Sequence, residues 1–168
     1  MGKQAKTKTH VLMVCVDNIY RSPIAEAVMR KSFAKLGLQN HWHVDSAAIE
    51  SWHLGDKPDP RALGVLSKHG IEYQNCARLL VSDDFKKFDY IFGMDQSDMA
   101  SLRQLIPSYS NTKLLLLSDF LFTLQPRERL IEDPHYNMGE APFEKIFDQC
   151  SHACLNFLKQ ARLNEIWI

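Results

Sequence analysis

The chain has 168 residues, enough for one domain with a sizeable core, and its 45% hydrophobic and 24% charged content is ordinary globular usage. Twenty basic residues balance twenty acidic ones, which excludes bulk attraction to nucleic acid or to an anionic membrane, so any anion binding must be local. The four cysteines, Cys15, Cys76, Cys150 and Cys154, are too few and too unevenly spaced for a disulfide framework. The opening residues lack the apolar run of a signal peptide, and the densest apolar stretch, near Leu114, is too short to span a bilayer. A reducing, cytoplasmic setting is expected.

Residues 1–9 read as a flexible N-terminal segment and residues 10–168 as a single domain. His10 to Val14 is a short apolar run with the character of a buried strand. Ser22-Pro23 then opens a helix, with Ser as the cap and Pro in the first turn. Ile24, Ala27 and Val28 share its inner face. Arg30, Lys31 and Lys35 suit its negative end, and Gly37 stops it. Trp42 to Ala47 reads as a second strand. A Pro- and Asp-rich loop, Gly55 to Pro60, leads into a helix that runs to about His69 and stops at Gly70. Ser82-Asp83-Asp84 starts a short helical turn. Phe88 to Met94 reads as a strand, Asp95 to Leu105 as a helix ended by Pro107, and Lys113 to Leu117 as another strand. Pro142 to about Arg162 is a long final helix. Its inner face carries Phe143, Ile146, Phe147, Cys150, Cys154, Phe157 and Leu158. Alternating elements of these lengths predict an α/β fold: a central four-stranded parallel sheet flanked by helices on both faces. In such folds the ligand sits beyond the carboxyl ends of the strands, so the loop after the first strand is the first candidate for a phosphate-binding site.

That loop reads Cys15-Val16-Asp17-Asn18-Ile19-Tyr20-Arg21-Ser22. Successive backbone N–H groups in a strand-to-helix turn, together with the helix N-terminus, form an anion nest. The Arg21 guanidinium can grip two phosphate oxygens. The same positive field favours a Cys15 thiolate, the nucleophilic form, and the Ser22 hydroxyl can hydrogen-bond to it. These parts permit in-line attack on phosphorus and a cysteinyl-phosphate intermediate.

Val14 to Val28 resembles the low-molecular-weight protein tyrosine phosphatases, whose loop reads Cys-x-Gly-Asn-x-Cys-Arg-Ser followed by Pro-Ile-Ala-Glu. The resemblance continues through Val44-Asp45-Ser46-Ala47-Ala48, Lys68-His69-Gly70-Ile71, Phe88-Asp89-Tyr90-Ile91, Met94-Asp95 and Ile131-Glu132-Asp133-Pro134. It implies Cys15 as nucleophile and Arg21 as phosphate clamp, with residues Val16 to Ser22 cradling the phosphate. Ser22 would support the thiolate, and Asn18, Ser46 and His69 would brace the loop. Asp133 would protonate the leaving phenol and then activate water. Such a proton transfer is worth about 100-fold or more. Ile19, Trp52 and Tyr136 would wall the pocket for a phosphotyrosine-containing protein or a small aryl phosphate. Asp95 reads as a helix cap and, by the resemblance, lies near the site. No metal or other cofactor is implied, and a monomer is expected.

The loop departs from the family pattern at Asp17, where the family has glycine, and at Tyr20, where it has cysteine. At about 6 Å, Asp17 would cost a bound charge ~3 kcal/mol at an effective dielectric of 20, and under ~1 in water, so its direction matters. Tyr20 removes the second loop thiol that protects the family's nucleophile against overoxidation, and its bulk must point away from the phosphate. His135 replaces an aromatic that often follows Asp-Pro. Ile19 favours aryl phosphates over the family's arginine-phosphatase branch, which typically has Thr there. Two other readings stay open: a pseudophosphatase that keeps the anion site as a binding or scaffold protein, and a thiol-based oxyanion reductase similar to thioredoxin-coupled arsenate reductases, for which Cys76 is the mid-chain relay candidate.

Overall fold

The computed structural model describes residues 8–122, 125–135 and 138–163. Four strands form one parallel sheet: β1 (Thr9–Cys15), β2 (Trp42–Ala48), β3 (Tyr90–Gly93) and β4 (Lys113–Leu116). Their spatial order is β2-β1-β3-β4. The chain leaves β1 toward one edge and later returns to its other side, so strand order reverses at the carboxyl end of β1. Residues alternate across β1. Val11, Met13 and Cys15 face one apolar cluster, and Leu12 and Val14 face the other. Both faces are buried, which is why the strand reads as a continuous apolar run.

The helices α1 (Arg21–Lys35), α2 (Pro60–Lys68) and α5 (Ala141–Arg162) cover the first face. The short α3 (Asp84–Lys87) and α4 (Gln96–Leu105) cover the second. All seven apolar residues assigned to the inner face of α5 are buried. Phe157 on that face meets the rings of Trp42, Tyr90, Phe92 and Phe120. Among the described residues no helix is long and apolar enough to cross a membrane.

Several boundaries differ from the sequence reading, each for a local reason. Thr9 belongs to β1: it pairs with Trp42, and its N–H donates to the His41 carbonyl at 2.9 Å. β3 is shorter than 88–94, because Phe88 N–H closes the last turn of α3 on Asp84 O and Met94 N–H is taken by the Asp98 carboxylate. Ser22 is not the cap of α1. The helix starts at Arg21 without a side-chain cap, and the Ser22 hydroxyl is turned to Cys15 instead. Of the basic residues expected at the end of α1, Lys35 lies in the last turn, whereas Arg30 is drawn to Glu26 at 2.6 Å.

The Phe157→Ala variant loses a fully buried ring from the aromatic cluster. It should cost about 3–5 kcal/mol of unfolding free energy, read by urea denaturation; a loss below about 1 kcal/mol would mean that α5 is not seated as described.

Candidate active site

The loop between β1 and α1 is shaped by Asn18, which has a left-handed backbone (φ 57°). Asn tolerates that region better than most side chains, because its carboxamide can bond locally. Its Nδ2 donates to Ser22 Oγ at 2.8 Å and to Ser46 Oγ at 2.9 Å, and its Oδ1 accepts from Arg78 N–H at 3.1 Å. One side chain thus ties the loop to α1, to β2 and to the segment after α2. Ser46 in turn donates to Glu26 at 2.7 Å. Glu26 is fully buried on α1, where an unpaired carboxylate would be prohibitive. It also accepts from Tyr73 (2.9 Å), Asn75 (2.9 Å) and Arg30 (2.6 Å). Burial and the neighbouring Glu26 charge push the Tyr73 phenol well above its ordinary range, so it stays a donor.

Asn18, Ser22 and Ser46 are thus joined by hydrogen bonds at the loop. His69 lies at the end of α2. Its ring stacks on Phe147 with centroids 3.8 Å apart and its Nε2 lies 3.1 Å from Glu144, so it closes the end of α2 against α5. Glu26, Tyr73, Asn75 and Arg78 extend the network around the loop. A carboxylate on the apolar face of α1, one turn after Ser22, was the one sequence signal for this network.

Cys15 ends β1, buried, with its Sγ 3.0 Å from Ser22 Oγ and accepting from Ser22 N–H at 3.4 Å. Burial pushes the thiol up, and Asp98 adds to this; Arg21 and the Ser22 hydrogen bonds pull it down. Burial outweighs the pull of Arg21 and the Ser22 hydrogen bonds, so the thiol is raised above its ordinary range.

Arg21, 1% exposed, is held between two segments. Its Nη1 donates to Asp95 Oδ2 at 2.8 Å and to the Ile131 carbonyl at 3.0 Å. Its Nη2 lies 3.7 Å from Asp98 and 3.9 Å from Asp133. Asp95 makes two contacts: its Oδ1 caps α4 by accepting from Asp98 N–H, and its Oδ2 accepts from Arg21. Asp98 was not anticipated, since in sequence it is only a polar residue in a first helical turn.

Above the loop lies a cleft of about 260 Å³ lined by Val16, Asp17, Trp52, His53, Asp133 and His135. Asp133 is 40% exposed and its Oδ1 accepts from His135 N–H at 3.1 Å. Trp52 is 69% exposed where it lines the cleft. Ile19, within the loop, is buried in the core cluster. Tyr136 lies outside the described residues. Asp17 is 6% exposed and lines the cleft, and its Oδ1 has no hydrogen-bond partner among the described residues. Tyr20 points away, with its hydroxyl 3.1 Å from His135 Nδ1 and its ring against His135 and Phe143. Burial, then Asp59 and Asp17, push its phenol up. All four cysteines are unpaired; Cys76 is exposed, whereas Cys150 and Cys154 are core residues of α5. Among the described residues no cluster of three or more His, Cys, Asp or Glu could hold a metal.

Residues 10–165 match the family profile described as low molecular weight phosphotyrosine protein phosphatase. The chain is 58% identical to low molecular weight phosphotyrosine protein phosphatase 2 of Drosophila melanogaster, over 99% of both chains. It is 39% identical to the Homo sapiens low molecular weight phosphotyrosine protein phosphatase, over 96% of this chain and 99% of that one. Among solved structures, Primo-1 superposes with a TM-score of 0.86 at 46% identity, covering 90% of this chain and 97% of that one. A protein tyrosine phosphatase from Entamoeba histolytica, with Hepes in its active site, gives 0.88 at 34%, covering 95% and 100%. The cysteine-and-arginine loop at the end of β1 is thus set in a fold and a sequence that agree over almost the entire chain, and the protein belongs to the low molecular weight phosphotyrosine protein phosphatase family.

Proposed function

We propose that the chain hydrolyses phosphotyrosine-like aryl phosphates, on a protein or a small molecule, through a cysteinyl-phosphate intermediate. The observation that carries this reading is that Arg21, on the same loop as Cys15, lies 3.9 Å from Asp133, which lines the cleft above that loop. Phosphate would sit in the nest of loop amides from Val16 to Ser22, gripped by Arg21 Nη2. Cys15 Sγ attacks phosphorus, and the S–P bond forms as the ester P–O bond breaks. Asp133, protonated, gives its proton to the departing phenolate oxygen. The resulting carboxylate then takes a proton from water, whose oxygen attacks phosphorus as the S–P bond breaks, releasing inorganic phosphate and the thiolate. Burial, which pushes the Cys15 thiol up, fits this sequence. A thiol with a phosphate dianion carries the same protons as a thiolate with a monoanion, so the nucleophile forms by moving one proton onto the substrate. Unpaired cysteines support a reducing, cytoplasmic setting, and we read residues 10–168 as the working domain, a monomer.

Asp17 favours a second reading. A buried carboxylate with an unpartnered oxygen, in the loop that must receive an anion, suits an oxyanion-binding relative with little turnover. One experiment separates the two. With para-nitrophenyl phosphate, the first reading expects turnover in the wild type, its loss in Cys15→Ser, and a fall in kcat of about 100-fold or more in Asp133→Asn. Asp17→Gly should raise kcat/KM at least several-fold, because it removes a charge worth up to about 3 kcal/mol. No turnover in the wild type, with turnover gained in Asp17→Gly, would establish the second reading in place of the first.

The loop's scaffold is testable apart from its chemistry. Asn18→Gly keeps the left-handed backbone and loses the three side-chain hydrogen bonds, so it should lower stability by about 1–3 kcal/mol. Asn18→Ala adds backbone strain and should cost about 1 kcal/mol more. Thermal melts that rank Ala above Gly would show that the conformation at residue 18 is not the constraint argued here.

A further inference from the structure

The first turn of α4 sets two carboxyl groups against Arg21. Asp95 is partly exposed and directly bonded to the guanidinium. Asp98 is 0% exposed. Its Oδ2 accepts from Met94 N–H at 3.0 Å and lies 3.7 Å from Arg21 Nη2. Its Oδ1 is buried and has no hydrogen-bond partner among the described residues. Gly93 makes room for it: a Cβ there would come within 3.2 Å of Asp98 Cβ. The charged and titratable groups around Asp98 are Arg21 from α1, Cys15 from the end of β1 and Asp95 at the cap of its own helix, with Asp133 3.9 Å from the same Arg21 Nη2. One cation therefore serves three carboxyl groups and a thiol.

We propose that Asp98 is a positioning residue for Arg21 and takes up a proton when an oxyanion fills the loop. The inference rests on the reading of that loop as an oxyanion site. Burial already pushes the Asp98 carboxyl up to about 6, with Arg21 pulling it down and Asp95 pushing it further up. In the empty site the Arg21 charge is what sustains an ionised Asp98. A dianion held by Arg21 offsets that charge and adds its own repulsion, so the neutral acid is favoured. The proton, drawn from solvent, has a place to go: on Oδ1 it leaves the Met94 hydrogen bond at Oδ2 intact. The loop thus gains its ligand's negative charge and loses one of its own.

Sulfate is a suitable probe, because it stays dianionic while Asp98 titrates. Cys15→Ser is used throughout so that the thiol does not contribute. Calorimetric titration at about pH 6.5, in two buffers of different ionisation heat, counts the protons taken up per sulfate. Adding Asp98→Asn should lower the uptake by roughly half a proton, and a merely structural role for Asp98 would leave it unchanged. Equal uptake in the two proteins overturns the proposal. If the Asn variant fails to fold or to bind, carbon-13 carboxyl titration of the Cys15→Ser protein decides: one buried Asp whose midpoint rises with sulfate supports the proposal, and unchanged Asp midpoints overturn it. Absence of sulfate binding to Cys15→Ser overturns the oxyanion reading together with this one, whereas binding without the proton difference overturns this one alone.

Discussion

Burying the Arg21 guanidinium is the constraint on which the rest of the site depends. A charge with almost no exposure must be met by opposite charge and by hydrogen-bond acceptors, or the fold would not tolerate it. The first turn of α4 supplies Asp95 and Asp98, and the segment before α5 supplies the Ile131 carbonyl. These are not decorations on a finished scaffold. The Ile131 contact fixes where the chain passes over the carboxyl end of the sheet, and that passage places Asp133 over the loop. The reversal of strand order at β1 opens the space into which these segments converge.

A second buried charge, Glu26, lies on the same helix and anchors the other side of the loop. Its four donors come from α1, β2 and the segment after α2. Through Ser46 and Asn18 this network reaches the Ser22 hydroxyl beside Cys15. The two charges divide the work. Arg21 draws the first turn of α4 and the segment before α5 to the loop, and Glu26 draws β2 and the segment after α2 to it. Each is satisfied by donors or acceptors on different segments, so neither side of the loop can shift without breaking bonds elsewhere.

Much of this was legible in sequence because it is local. The run from His10, the Cys15-to-Ser22 spacing and the helix that follows predict a strand, a nest and a nucleophile without reference to the rest of the chain. The inner face of α5 was legible for a similar reason: its apolar residues recur at helical spacing. What failed was decided by distant partners. His69 was expected at the loop, but its environment is set by Glu144 and Phe147 on α5, far along the chain. Ser22 has the makings of a cap, but Cys15 and Asn18 claim its hydroxyl first. Asp98 gave no local sign, since only the fold reveals that its helix starts against Arg21 rather than against solvent. The direction of Asp17 was also undecidable from sequence; it is buried at the cleft.

The pairing of Tyr20 with His135 has a consequence for how the site comes into being. It joins positions 115 residues apart, and the Arg21 bonds to Asp95 and Ile131 span 74 and 110. Contacts of such separation are slow to form, because the loops they close must lose their freedom before any bond rewards it. Cys15 is synthesised early, yet the partners of Arg21 and the cleft residue Asp133 are seated only once the last third of the chain has docked. During synthesis a ribosome-bound fragment can therefore carry Cys15 on β1 without a site around it, and catalytic competence becomes a report that folding has run to completion.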